Sequence, residues 1–129
     1  MFWCSTITRK SRLQTAGNLL ILLKVGLMSR DFRKLNVFQI ADDVAVEISR
    51  AAKSFPNEER YGLQSQLRRA AVSSAANIVE GCARKTPRDY LNVMSISLGA
   101  SSEVRYLFDL SHRLGFLSQE NYEKLAPQC

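Results

Sequence analysis

Residues 63–90 read LQSQLRRAAVSSAANIVEGCARKTPRDY, and this stretch decides the fold class. Leu63, Leu67, Ala71, Ala75, Ile78 and Cys82 recur every three or four positions, which places them on one stripe of an α-helix. Ser73, Ser74, Ala75 and Ala76 make a run of small side chains in the same helix, so a second helix can approach closely there. Gly81 reads as a stop near the helix end. Thr86-Pro87-Arg88-Asp89 then supplies an N-cap, a proline in the first turn and an acid at the third helical position, the start of another helix. Two helices joined by so short a connection predict antiparallel neighbours.

Towards the C-terminus this third helix runs to about Arg113, with Tyr90, Leu91, Met94, Leu98, Leu107, Phe108 and Leu110 as its apolar positions. Gly99-Ala100-Ser101-Ser102 is a second run of small residues, and Gly115 offers the left-handed terminating position. Ser118 can cap a fourth helix, which Pro127 and the end of the sequence restrict to about eight residues, or about 12 Å. Towards the N-terminus, Phe38, Ala41, Val44, Ala45, Ile48, Ala52 and Phe55 form another apolar stripe. Gln39, Asp42, Asp43, Glu47, Arg50 and Lys53 fill the other side. That pattern predicts a first helix of about 20 residues, about 30 Å long, ending at Phe55 because Pro56 restricts the residue before it. Pro56-Asn57-Glu58-Glu59 supplies a turn, a cap candidate and acids for the next N-terminus. No segment sustains the period-two alternation of a strand. The expected fold is all-α: an up-and-down four-helix bundle with a truncated fourth helix, over residues 28–129. A 12 Å stub cannot cover a groove made by three helices of about 30 Å, so the oligomer, an N-terminal leucine seam or a further C-terminal segment is expected to fill it.

Residues 1–27 form an N-terminal extension of different character. Three readings stand beside one another. Arg9, Lys10 and Arg12 ahead of the run Leu19–Leu23 resemble a signal peptide, but Lys24 interrupts the run and no small-residue cleavage site follows. Leu13, Ala16, Leu20, Leu23 and Leu27 are spaced as the seam of an added helix, although Gly17 and Gly26 each cost it about 1 kcal/mol. In the third reading, translation starts at Met28.

Composition narrows the function classes. With 129 residues, 46% hydrophobic and 23% charged, the chain has the profile of one globular domain, which excludes a multidomain enzyme and a disordered tail. The single histidine, His112, and the scattered cysteines Cys4, Cys82 and Cys129 contain no zinc-ligand spacing, so no metal and no cofactor is expected. An odd, scattered cysteine set fits a reducing compartment, and the apolar run near the N-terminus is too short to cross a bilayer. The net charge is +6, and its distribution is uneven. Residues 1–30 carry five bases and no acid, residues 31–59 four bases and six acids, residues 60–88 six bases and one acid, and residues 89–129 three bases and five acids. The folded part is thus polarised, with its positive charge in the middle.

Several strings together carry a family resemblance. They are Arg68–Arg84 (RRAAVSSAANIVEGCAR), Phe55–Leu63 (FPNEERYGL), Ser97–Glu103 (SLGASSE) and Arg113–Leu117 (RLGFL). In order along the chain and without large gaps, from residue 28 to about residue 125, the chain resembles the four-helix-bundle proteins encoded in intervening sequences of bacterial 23S ribosomal RNA. The resemblance implies a cytoplasmic helical bundle that assembles as a homopentamer, has no established enzymatic activity and is linked to ribosomal RNA. It also points to Met28 as the functional start. A structurally similar group serves reverse transcriptases of diversity-generating retroelements as an accessory protein, which makes a protein-interaction scaffold the alternative. The chain departs from the family in its extra N-terminal segment and in its short fourth helix.

Two sets of residues are candidates for a role. Arg60, Arg68, Arg69, Arg84, Lys85 and Arg88 form the basic segment. Arg68 and Arg69 lie off the apolar stripe and face solvent or a partner, either as solubilising charge or as contacts to RNA phosphates. Tyr61 and Tyr90 lie near in sequence and could stack on bases, although such aromatics more often pack. Ser73, Asn77, Glu80 and Arg84, spaced four, three and four, fall on one face of the second helix. They read as a solvated face with a surface ion pair, or as a hydrogen-bonded cluster at a helix end or subunit interface. Gly81 and Glu103 belong to the same motif region as structural or interface residues. No catalytic residue is expected: Glu80 and Glu103 imply no fixed carboxylate geometry, and His112 has no nucleophile at a readable spacing. No phosphate-binding glycine loop is present, so no small-molecule substrate is expected.

Overall fold

The computed structural model describes residues 30–129, all of whose regular elements are helical. The N-terminal extension, with its leucine seam and Cys4, lies outside the described residues. Four α-helices follow in order: α1 (Asn36–Ala51), α2 (Leu63–Cys82), α3 (Pro87–Arg113) and α4 (Gln119–Leu125). Helix α2 is central. It packs along α3 and against α1, while α4 sits on α1 and α3. Pairing of Ser74 with Ser97 and Ser101, and of Gly81 with Tyr90, Val93 and Met94, makes α2 and α3 antiparallel. The bundle therefore has two ends: a turn end, where residues 83–86 join α2 to α3, and a far end, where α4 docks.

The far end holds the main core. Ile48 and Ala52 from α1 and the turn after it, Leu67 from α2 and Phe108 from α3 are all at 1% exposure or less. Phe55, Leu117 and Leu125 close this core from the connecting segments and from α4. Burying each such side chain contributes about 1.5–3 kcal/mol, which explains why the short α4 is held at all. Polar contacts then fix its place. The Tyr122 hydroxyl donates to Asp109 Oδ1 at 2.8 Å, Lys124 Nζ donates to Glu47 Oε2 at 3.1 Å, and Arg105 donates to the Ala126 carbonyl at 2.6 Å. The Tyr122 phenol is raised above its ordinary pKa, mainly by its bond to Asp109. Its ring stacks on Phe108, at 5.5 Å, and on His112, at 4.0 Å.

Towards the turn end, small side chains join the buried Ile78, Cys82 and Val93 in the contact between α2 and α3. The Ser97 hydroxyl donates to the Ser74 carbonyl at 2.8 Å, and the Ser74 and Ser101 hydroxyls share a bond of 2.7 Å. Ala75, Ala100 and Gly81 are buried beside them. A Cβ on Gly81 would meet the Met94 terminal methyl, so the glycine serves close helix packing. This corrects the expectation that Gly81 stops the helix: α2 continues to Cys82, and the glycine sits inside its last turn.

Two further expectations are corrected. The first helix ends at Ala51, because the chain tightens into a 3₁₀ turn over Ala52–Ser54 before the extended Phe55. Pro56 still sets the boundary, as it forces Phe55 out of the helical region. In α3, Leu91 and Leu98 are exposed, and the buried stripe is Val93, Ser97, Ala100, Val104, Leu107, Phe108 and Ser111. Serines can occupy that stripe because each finds a carbonyl: Ser97 that of Ser74, and Ser111 that of Leu107 at 2.7 Å. The helix punctuation matches expectation elsewhere. Thr86 accepts from Asp89 N–H at 3.1 Å, Ser118 accepts from Asn121 N–H at 3.2 Å, and Gly115 has φ +79°. Gly62 precedes α2 without a side-chain cap, and the Glu59 carboxylate takes that role by accepting from Leu63 N–H at 3.0 Å.

Candidate nucleic-acid interface

The six bases of residues 60–88 divide between the two ends of α2. Arg60 belongs to a 3₁₀ turn, Asn57–Arg60, that delivers the chain to α2, while Arg68 and Arg69 lie in the second turn of α2. Arg84, Lys85 and Arg88 stand at the turn end, about 22 Å along the helix axis from Arg69. The two groups form separate surfaces.

At the far end, Arg60, Arg68 and Arg69 line one open cleft of about 630 Å³ with Ser49, Tyr61, Ser65, Val72 and Ser73. The local sequence explains the convergence. Leu67, Ala70 and Ala71 turn one side of α2 into the core, so Ser65, Arg68, Arg69 and Val72 are left on the other. Tyr61 is 86% exposed and its ring lies 5.8 Å from the Arg60 guanidinium. Among the described residues no carboxylate pairs with any of these three arginines. The cleft therefore presents unneutralised guanidinium groups, hydroxyl donors and one exposed aromatic face. That set suits phosphate and an unstacked base, since guanidinium binds phosphate oxygens in bidentate fashion and tyrosine offers a stacking surface.

At the turn end, Arg84 is engaged. It pairs with Glu80 one turn earlier, an exposed contact of small energetic weight. Lys85 and Arg88 are exposed, and the guanidinium of Arg30 stacks 4.3 Å above the Tyr90 ring. The stripe Ser73, Asn77, Glu80 and Arg84 is joined in two pieces. Asn77 Nδ2 donates to the Ser73 carbonyl at 2.7 Å and to the Ser73 hydroxyl at 3.1 Å, while Glu80 accepts from Arg84. No bond links the two pieces. Glu103 stands on α3 beside a smaller hollow of about 360 Å³ lined by Gln66, Arg69, Ala70 and Ser73. Arg69 and Ser73 thus form the ridge between both hollows.

The cleft also contains residues that the sequence reading passed over. Ser65 precedes Arg69 by four positions and Val72 follows Arg68 by four, so helical spacing alone would have placed them beside the arginines. Ser49 comes from α1, and only packing brings it there.

Elsewhere the chemistry is quiet. Burial pushes the thiol of Cys82 above its ordinary pKa and that of Cys129 up to about 11, which leaves both protonated and weakly nucleophilic at neutral pH. Among the described residues no group of three or more His, Cys, Asp or Glu side chains could hold a metal ion, and no helix is long and apolar enough to cross a membrane.

The model of one family, described as 23S rRNA-intervening sequence protein, matches residues 33–129. No curated protein matches the chain.

Proposed function

Since the chain belongs to the 23S rRNA-intervening sequence protein family, we propose that it is a non-enzymatic, homo-oligomeric cytoplasmic protein that associates with RNA through the cleft of Arg60, Arg68 and Arg69. One observation carries this reading: three arginines without carboxylate partners among the described residues share a single open cleft with an exposed tyrosine. Ordinary solubilising charge would be interspersed with acids, and no acid lines this cleft. The recognition is of phosphate and of an accessible base rather than of a duplex sequence, because the sequence has no helix-turn-helix, RRM or KH signature. Ribosomal RNA is the ligand that the family's name suggests.

The pentamer implied by the resemblance needs apolar surface to assemble. Ile96 and Tyr106, at 58% and 64% exposure, are suited to contacts between copies.

The test is a salt titration of full-length protein against a 23S ribosomal RNA fragment and an unrelated RNA duplex, with oligomer mass recorded in parallel. Preference for the ribosomal fragment is expected. The salt slope should fall by about 0.7–0.9 for each phosphate contact removed by Arg68→Glu and Arg69→Glu. Binding to neither RNA by an intact oligomer would overturn the proposal in favour of a protein-only scaffold, such as an accessory subunit of a reverse transcriptase.

A further inference from the structure

Next to the arginine cleft, the hollow of about 360 Å³ has a lining of a different kind: Gln66, Arg69, Ala70, Ser73 and Glu103. Gln66, Ala70 and Ser73 follow one another at helical spacing on α2, with Arg69 at their side. The bond of 2.7 Å between the Ser74 and Ser101 hydroxyls sets the register of α3 against α2, and Glu103 stands two residues beyond Ser101. Ala70 is buried, so the hollow has an apolar floor and polar walls.

The opposite charges of this hollow are not paired with each other. Arg69 and Glu103 both line it, yet no ion pair joins them, and Glu103 has no ion-pair partner among the described residues. Glu103 is also the only carboxylate that lines either hollow. Asn77 Nδ2 donates to the Ser73 hydroxyl at 3.1 Å, which leaves that hydroxyl its own hydrogen to donate.

A carboxylate beside a phosphate site repels every RNA strand unless a donor on a base meets it, so its effect is to select among bases. Guanine alone among the four RNA bases offers two adjacent N–H donors, N1–H and the 2-amino group, to the two oxygens of one carboxylate. Its O6 acceptor lies beside them. Adenine, cytosine and uracil each present one donor group next to an acceptor, which a carboxylate oxygen repels. Arg69 and Ser73 line both hollows, so a phosphate held by the arginines brings its own nucleotide to the rim of the smaller one.

We propose, on the RNA reading of the larger cleft, that the smaller hollow is a guanine site of the same interface. Glu103 accepts from N1–H and the 2-amino group, and the Ser73 hydroxyl and the Gln66 amide donate to O6. Arg69 stays with the phosphate. The volume stands at the lower end of the ~300–1,000 Å³ range of small-ligand sites, which suits a single base.

Fluorescence anisotropy of full-length protein with single-stranded uridine pentamers tests this, the central base being guanine, hypoxanthine, adenine or cytosine. The guanine strand should bind about tenfold more tightly than the adenine and cytosine strands. Hypoxanthine, which lacks the 2-amino group, should fall between. Glu103 is exposed, so Glu103→Gln should leave the melting temperature unchanged. It should bring guanine to within about twofold of adenine while the adenine strand binds no less tightly, since a repulsion is removed along with a contact. Glu103→Gln raising the affinity for all strands equally would reduce Glu103 to surface charge and overturn the guanine site. Equal binding of all strands by the parent, or hypoxanthine binding as tightly as guanine, would overturn it too, with the RNA reading left standing. If no pentamer binds while the 23S ribosomal RNA fragment does, the guanine site falls alone; if neither binds, the RNA reading falls and takes the site with it.

Discussion

The two ends of this bundle are stabilised by different means. At the far end, four elements converge on large side chains, and Phe108, Ile48 and Leu67 are removed from water almost completely. At the turn end, α2 and α3 approach through serine, alanine and glycine around Ile78, Cys82 and Val93, and hydroxyl hydrogen bonds supplement a smaller apolar volume. The main core cluster does not extend past Ala70 and Ala71 on α2 or Val104 on α3. The difference teaches that burial and closeness are separate resources. Large side chains hold several elements at once, whereas small ones hold two helices in one register and leave outward residues such as Leu98 uncovered by the described residues.

This contrast can be broken by substitution, and the largest effect should come from the far end. Phe108→Ala removes a fully buried ring that also stacks on Tyr122, and it should cost about 3–5 kcal/mol in denaturant unfolding, with α4 released early. A loss below that of the turn-end variants would contradict the assignment of the main core. Next, Ser97→Ala deletes the bond to the Ser74 carbonyl and should cost about 1 kcal/mol, visible as a lower midpoint at unchanged slope.

Gly81→Ala sharpens the contrast further. The added methyl meets only the end of the flexible Met94 side chain, and alanine favours the helix by about 1 kcal/mol, so the variant should fall within about 1 kcal/mol of the parent. Gly81→Leu, which must also displace Tyr90 and Val93, should be clearly destabilised.

The smallest effect is electrostatic. Hydrogen bonds from Lys124 and then Arg50 hold the Glu47 carboxyl below its ordinary value of 4.5. A lowered folded-state pKa means that the stabilisation is present above the ordinary value and disappears as pH falls through the folded one. Docking of α4 should therefore loosen in acid, and Glu47→Gln should flatten that dependence. Tyr122 fluorescence across pH 3–7 (roughly the window around a carboxylate's ordinary range) would record it. The effect is modest because the group is exposed to screening by solvent.

How much could be read in advance differs between elements for physical reasons. The stripes of α1 and α2 were legible because their core positions are aliphatic or alanine at strict spacing. Caps at Thr86, Ser118 and Gly115 were legible because they are local chemistry: a side-chain oxygen two or three residues from an amide, or a backbone angle that favours glycine. Helix α3 misled the reading, since Leu91 and Leu98 look like core while Ser97 and Ser111 look like surface. Their roles depend on which carbonyls lie across the interface, and hydropathy contains no such information. The candidate site was half legible. The basic residues were evident, but their division between two ends of α2 follows from the length of that helix.

By itself the sequence determined the helix count, the punctuation, the family and the presence of an excess of positive charge, because each of these is a property of neighbours in the chain. Tertiary structure alone decided that serines rather than leucines line the turn-end contact between α2 and α3. It also decided that Ser49 joins Arg60, Arg68 and Arg69 in one cleft. These depend on residues far apart in the chain meeting in space, and what a side chain contributes there is set by the group it faces.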